Sequence, residues 1–422
     1  MKKVTRRGIL GAAAAAVPIG ALSGTAQAGA AAPGGAELQL SPATDAVTPF
    51  KLRVPERALS DLQQRLAATR WPERETVPDR TQGAQLQRVR TLVRYWQRNY
   101  DWRRFEKKLN GFPQFRTRID GLGFHFLHVR SKHKNATPLL LTHGWPGSVI
   151  EFLRSIGPLT DPTAHGGAAS DAFHLVIPSL PGYGFSDKPS ETGWGIQRTA
   201  KAWIELMGRL GYSRYLAQGG DWGGIITSEL GKLAPPGLAG IHLNFYPEFQ
   251  PPVSDPPTPE EVEALAKLEL FNTDGFGYFA EQGSRPQTVG YGLTDSPVGQ
   301  AAWIFEKLID WTDSNGDPES LLGFDQILDA IMLYWLPATA TSSARLYWEA
   351  GRGAVSTDPV AVPVGFSVFP GEIVPTPRIW AERTYGDKLV YFNKLPRGGH
   401  FAAFEQPTLF VEELRKYGRL LR

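Results

Sequence analysis

The chain is 422 residues long, 42% hydrophobic and 21% charged, which excludes a disordered or fibrous protein and predicts a large core. It has no cysteine, so a disulfide framework, a thiol nucleophile and a thiolate metal site are all excluded. The net charge of +3 is concentrated in Lys2, Lys3, Arg6 and Arg7, and removing those four charges leaves about −1 for the rest. That balance carries no electrostatic footprint for nucleic acid.

Arg6-Arg7 precede a short apolar run to Leu22, and Ala26-Gln27-Ala28 has the small-x-small form of a cleavage site. Residues 1–28 are therefore expected to be a twin-arginine-type signal peptide, and the mature chain to be exported to the periplasm or beyond. Pro18 and Gly20 interrupt the run, which is too short and weak for a stable membrane helix, and no other stretch reaches eighteen apolar residues, so no span is expected in the mature chain. Residues 29–48 read as a flexible leader.

Residues 49–112 show helical stripes, Leu59, Leu62 and Leu66 first, then Leu86, Val89, Val93 and Trp96, with the second helix ending near Asn110-Gly111. Phe115–Ile119 and Phe124–Val129 alternate around Asp120-Gly121, which predicts a hairpin. Strands then alternate with helices. The strands are expected at 138–142, 173–178, 214–218 and 238–245, with helices at 196–210 and 222–233. This is the pattern of a mostly parallel sheet covered on both faces.

The alternation stops at Pro247 and resumes near Val364. Between them, Thr258-Pro259-Glu260-Glu261 is a capping box with proline at the first helical position. Further helices are expected from Ser296 to Trp311, Phe324 to Leu336 and Thr341 to Ala350. Strands at 365–369 and 389–392 and a last helix at 409–421 close the chain. The expected organisation is an N-terminal helical region (49–112), an α/β core in two parts (113–246 and 364–422) and a helical insertion between them (247–363).

Gly219-Gly220-Asp221-Trp222-Gly223 falls between a predicted strand and a predicted helix, with the spacing of a nucleophile elbow. Asp221 takes the central place that serine ordinarily holds. A carboxylate there can displace a leaving group at an sp³ carbon and form an ester, which a general base and an oxyanion hole must then hydrolyse. In the order nucleophile, acid, histidine, His400 is the base, since among the eight histidines it alone follows a terminal strand. Glu372, after the 365–369 strand, is expected to orient it, with Asp387 a weaker competitor in a solvated turn. The oxyanion donors are expected to be the N–H groups of Trp145, after the first parallel strand, and Trp222, after the nucleophile. No cofactor and no metal are implied.

His143-Gly-Trp-Pro-Gly-Ser148, Gly219-Gly-Asp-Trp-Gly223 and Arg397-Gly-Gly-His-Phe-Ala-Ala-Phe-Glu405 together resemble the microsomal-type epoxide hydrolases, members of the α/β-hydrolase superfamily. The resemblance extends over nearly the whole mature chain, including Arg70-Trp71-Pro72 and Asp295-Ser-Pro-Val-Gly299. It implies an α/β-hydrolase fold with a helical lid and an N-terminal wrap. It also implies two lid tyrosines that donate to an epoxide oxygen, which match Tyr278 and Tyr347. Tyr334 reads as packing, and Tyr291 and Trp335 are expected to line the substrate pocket. The expected partners are a small apolar epoxide and water, and a homo-oligomer is left open. The family's microsomal members are anchored at the N-terminus, whereas this chain is expected to begin with a cleavable export signal. A haloalkane dehalogenase shares the Asp-Trp elbow and is the competing enzyme reading. A non-catalytic binding module would ordinarily lack nucleophile, acid or base.

Overall fold

The computed structural model describes residues 38, 40–248, 250–353 and 356–422. The expected signal peptide and the first part of the leader lie outside them. A short strand, β1 (Thr48–Phe50), opens the described chain and is followed by α1 (Glu56–Ala67), α2 (Leu86–Arg98) and α3 (Trp102–Leu109). The helix expected to run to Asn110 is thus two helices. Asp101 ends the break by capping α3, accepting from Arg103 N–H at 2.8 Å. Val89, Leu92, Val93 and Trp96 of α2 are buried, each contributing roughly 1.5–3 kcal/mol by leaving water.

The hairpin β2 (Gln114–Ile119) and β3 (Leu122–Val129) turns through Asp120 and Gly121, whose φ values of 50° and 79° match a two-residue turn. β4 (Thr137–Thr142), α4 (Leu153–Thr160), β5 (Phe173–Pro178), α5 (Ile196–Arg209), β6 (Tyr215–Gly219), α6 (Asp221–Leu233) and β7 (Leu238–Leu243) follow. Every residue of β5 and β6 is buried, as central strands covered on both faces require.

The last part of the expected flexible leader is held in place. Arg118 N–H donates to Thr44 C=O at 2.7 Å, and Thr48–Phe50 pairs antiparallel with β2. Unpaired N–H and C=O groups at the edge of β2 recruit this segment.

The lid comprises α7 (Pro259–Leu270), α8 (Gly277–Ser284), α9 (Pro286–Asp295), α10 (Pro297–Trp311), α11 (Pro318–Trp335) and α12 (Ala340–Ala350). The capping box forms, with Thr258 N–H donating to Glu261 at 2.8 Å and Glu261 N–H to Thr258 Oγ1 at 3.3 Å. Helix α11 is broken by Gly323 at φ 77°, ψ 153°, so its regular part begins where the apolar stripe begins, at Phe324. Helices α8 and α9 carry no apolar stripe. Their glycines and few buried positions conceal them in the sequence. The chain closes with β8 (Val364–Val368), α13 (Arg378–Tyr385), β9 (Leu389–Lys394), α14 (Ala402–Glu405) and α15 (Pro407–Leu420).

The sheet order is β1-β2-β3-β5-β4-β6-β7-β8-β9, antiparallel up to the β3–β5 pair and parallel beyond it. From β4 the chain crosses to one side to form β5, then returns to the other side to form β6. The C-terminal ends of β4 and β6 therefore flank a topological switch point, where α/β sheets bind ligands. Among the described residues no single helix is long and apolar enough to cross a membrane. The α11–α12 pair passes that test only together, bent by 78°.

Candidate active site

Asp221 leaves β6 with φ 50°, a left-handed conformation that costs a non-glycine residue about 1–3 kcal/mol and persists where the surroundings enforce it. The enforcement is close packing. A Cβ on Gly223 would fall 1.9 Å from Thr142 C=O of β4, and one on Gly219 2.0 Å from Gly223 C=O. With glycine at both positions, α6 starts hard against the sheet and the Asp221 carboxylate stands at the switch point.

The neighbouring loop after β4 supplies a donor. Trp145 N–H lies 2.7 Å from Asp221 Oδ1. A Cβ on Gly144 would fall 2.1 Å from the same oxygen, so the loop approaches the carboxylate by backbone alone. Trp222, directly after Asp221, is buried.

His400 Nδ1 lies 2.6 Å from Glu372 Oε1, and Nε2 lies 3.3 Å from Asp221 Oδ2. Ile373 N–H steadies Glu372 at 2.8 Å, and His400 N–H donates to Trp311 C=O at 2.9 Å. Asp387 is exposed and paired with Lys388 at 2.9 Å, away from the histidine. Burial would lower the His400 pKa, but the charge of Glu372 and hydrogen bonds to both carboxylates outweigh it and raise it well above the ordinary value. Burial holds the other enclosed histidines down, His125 to about 3 and His143 and His242 to about 4. His143 is neutral there, donating from Nδ1 to Gly144 C=O at 2.9 Å and accepting Leu180 N–H at 3.3 Å.

An apolar cavity of about 200 Å³ opens between Asp221 and the lid, lined by Trp222, Tyr246, Phe276, Tyr278, Phe279 and Tyr347 among others. Tyr278 on α8 and Tyr347 on α12 face each other with ring centroids 5.8 Å apart. Trp145 stacks on Tyr278 at 5.0 Å, and Trp222 meets Tyr347 edge-on at 4.7 Å. Burial, with the Asp221 charge adding to it, raises both phenols well above 10, so each stays a neutral donor. The Tyr347 hydroxyl is buried within weak reach of the Tyr278 hydroxyl and the Trp222 indole and makes no well-formed hydrogen bond. Its donor is thus left for a ligand acceptor in the cavity.

The structure thus brings together Asp221, His400, Glu372, Tyr278, Tyr347, Trp145 and Trp222. It does not bring Tyr291 or Trp335 to them, which corrects the expectation that both line the pocket. Tyr291 is 73% exposed on α9, whose inward face is taken by Pro286, Gly290 and Leu293. Trp335, at the end of α11, packs half-buried against the core outside the cavity wall. Tyr334 beside it is more than packing, since its hydroxyl donates to Gly147 C=O at 2.6 Å and ties the lid to the Trp145 loop.

Sequence reasoning missed Glu405, whose carboxylate accepts the N–H groups of Asp313, Gly399 and Phe401 at 2.7–3.0 Å and holds the His400 loop. It also missed Glu151. The available signal was a single acid among the apolar residues Val149, Ile150 and Phe152. Among the described residues no group of three or more His, Cys, Asp or Glu is arranged to hold a metal ion.

Sheet, elbow and histidine define an α/β-hydrolase whose nucleophile position carries a carboxylate. Residues 137–244 match the alpha/beta hydrolase fold family, and residues 47–152 match the family described as "Epoxide hydrolase N terminus". The chain is 61% identical over 379 residues to a Stigmatella aurantiaca protein named "Putative epoxide hydrolase", covering 89% of this chain and 86% of the relative. It is 36% identical to epoxide hydrolase 1 of Sus scrofa, with 89% of each chain covered. An enantioselective mutant of the Aspergillus niger epoxide hydrolase superposes with a TM-score of 0.80 at 34% identity, covering 92% of this chain and 100% of that one. The chain belongs to the epoxide hydrolase family.

Proposed function

We propose that the protein hydrolyses a small apolar epoxide to a vicinal diol through an ester on Asp221. The observation that carries this reading is the line Glu372–His400–Asp221 facing two neutral phenols across an apolar cavity. Asp221 attacks one ring carbon and the C–O bond breaks. The oxygen collects negative charge between the Tyr278 and Tyr347 hydroxyls. Each such charge-assisted hydrogen bond contributes roughly 1.5–3 kcal/mol.

Ester formation removes the Asp221 charge that helped to hold the His400 proton. The proton so released balances the alkoxide, and His400 becomes a base. Oriented by Glu372, it takes a proton from water, whose oxygen bonds to the ester carbon. The Trp145 N–H, already 2.7 Å from Asp221 Oδ1, and the Trp222 N–H are the proposed oxyanion donors. Collapse of the tetrahedral adduct breaks the ester bond and releases the diol.

Intact mass of His400→Gln after exposure to aryl and alkyl epoxides tests this. The expected result is a gain of one whole epoxide, mapped to Asp221. A haloalkane adduct, lighter by hydrogen halide, would make the protein a dehalogenase instead. No adduct from either class would favour a binding role. Export through the twin-arginine segment belongs to the same proposal and rests on residues 1–28. N-terminal sequencing of the mature protein is expected to begin just after Ala28.

A further inference from the structure

The loop after β4 encloses a second, much smaller space. It has a free volume of about 20 Å³ and shares only Asp221 with the substrate cavity. Gly144, Gly147, Glu151, Asn244 and His400 line it alongside Asp221. A space of this size holds one water molecule, provided that two or more polar groups can bind it. Asp221, His400 and Glu151 meet that requirement. Glu151 sits on the short turn Val149–Phe152, between buried apolar neighbours, and has no salt bridge among the described residues. The loop is shaped around its carboxyl, since a Cβ on Gly147 would fall 1.6 Å from Glu151 Oε1.

Resting on the reading above, we propose that Glu151 holds the water that attacks the Asp221 ester, and so serves the second half-reaction alone. One O–H of that water points to His400 Nε2 and the other to a Glu151 carboxyl oxygen. As its oxygen bonds to Cγ of Asp221, the first proton passes to Nε2 and the second stays on the oxygen. The bond from Cγ to the alkyl oxygen then breaks, and that oxygen takes the proton back from Nε2. The proton left on the new Asp221 carboxyl passes to Nε2 of His400, which restores the ionised Asp221, now with one oxygen from water, and the protonated His400.

The carboxyl suits this task when it is neutral. Burial pushes it up to about 8, against the pull of His400 and with the push of Asp221 and Glu405. The titratable groups facing it are Asp221 from α6, His400 and Glu405 from the C-terminal loop and α14, and Tyr334 from α11. A neutral acid accepts from water through its carbonyl oxygen, does not compete for the His400 proton and does not repel the oxyanion. An ionised one would.

Rapid-quench intact mass with styrene oxide as probe separates ester formation from ester decay. For Glu151→Leu, formation is expected within threefold of wild type and decay at least thirtyfold slower, so that the Asp221 adduct accumulates. Glu151→Gln, which keeps a carbonyl acceptor, is expected to recover decay at least fivefold over Leu. The wild-type decay rate is expected to fall above pH 8, and that of Glu151→Gln to lose this fall. Equal slowing of both steps, or of neither, overturns the proposal. If the Leu variant does not fold, the Gln pH profile decides, and an alkaline fall unchanged from wild type overturns it. If His400→Gln itself forms no ester with the epoxide, the Asp221 reading fails, and this proposal falls with it.

Discussion

The Trp145 N–H points at Asp221 Oδ1 from 2.7 Å, although the two residues are 76 positions apart in the chain. They meet because β4 and β6 are parallel neighbours whose outgoing chains diverge at the switch point. One donor is therefore already in place where an ester oxyanion would form. No rearrangement is needed in the reaction to bring it there.

The tyrosine pair should act before the ester exists. Tyr278→Phe and Tyr347→Phe are each expected to slow ester formation about 10- to 100-fold, as the loss of one hydrogen bond to a charged oxygen implies. The double variant should lose nearly all turnover, while decay of a preformed ester changes little. Single-turnover mass measurements check this, and unimpaired epoxide opening in the double variant would remove the tyrosines from the mechanism.

Acid should unfold the protein through its buried histidines. His125 is held at about 3 and His128, His143 and His242 at about 4, chiefly by burial. These depressed values cost nothing above about 6.5, where folded and unfolded chains are both neutral, and stability is lost as pH falls from 6.5 towards 4 and 3, because only the unfolded chain takes up protons in that window. The urea midpoint is expected to drop steeply between pH 6.5 and 4. His242→Asn should make the slope shallower by about one proton, and an unchanged slope would contradict the assignment.

Glu261 anchors the entry to the lid. It caps α7 and also accepts Ser254 N–H at 2.9 Å and the Trp380 indole N–H of α13 at 3.0 Å. Glu261→Ala should loosen residues 250–262, seen as faster amide exchange there, and should raise KM more than it lowers kcat. Faster exchange spread evenly over the sheet would instead mean global destabilisation.

Local pattern was enough to read the sheet, the elbow at Asp221 and the terminal histidine, because strand periodicity and glycine spacing are properties of neighbouring residues. The same holds for the capping box at Thr258 and the hairpin at Asp120-Gly121. Helices α8 and α9 were not legible, since their burial depends on what the lid packs against rather than on a stripe of their own.

Tertiary structure alone decided the rest. Tyr291 and Tyr278 stand 13 residues apart in similar glycine-containing surroundings, yet one faces solvent and the other faces Asp221. The outcome turns on the rotation of each helix about its axis once packed, which periodicity too weak to define a face cannot specify. Turn chemistry already favoured Glu372 over Asp387, but only distance to His400 decided between them, and Glu151 came into view only when the loop after β4 folded its carboxyl in beside Asp221. Sequence determines which chemistry the chain can carry, but long-range packing selects the side chains that reach a common point, because it sets distances between residues that no local pattern relates.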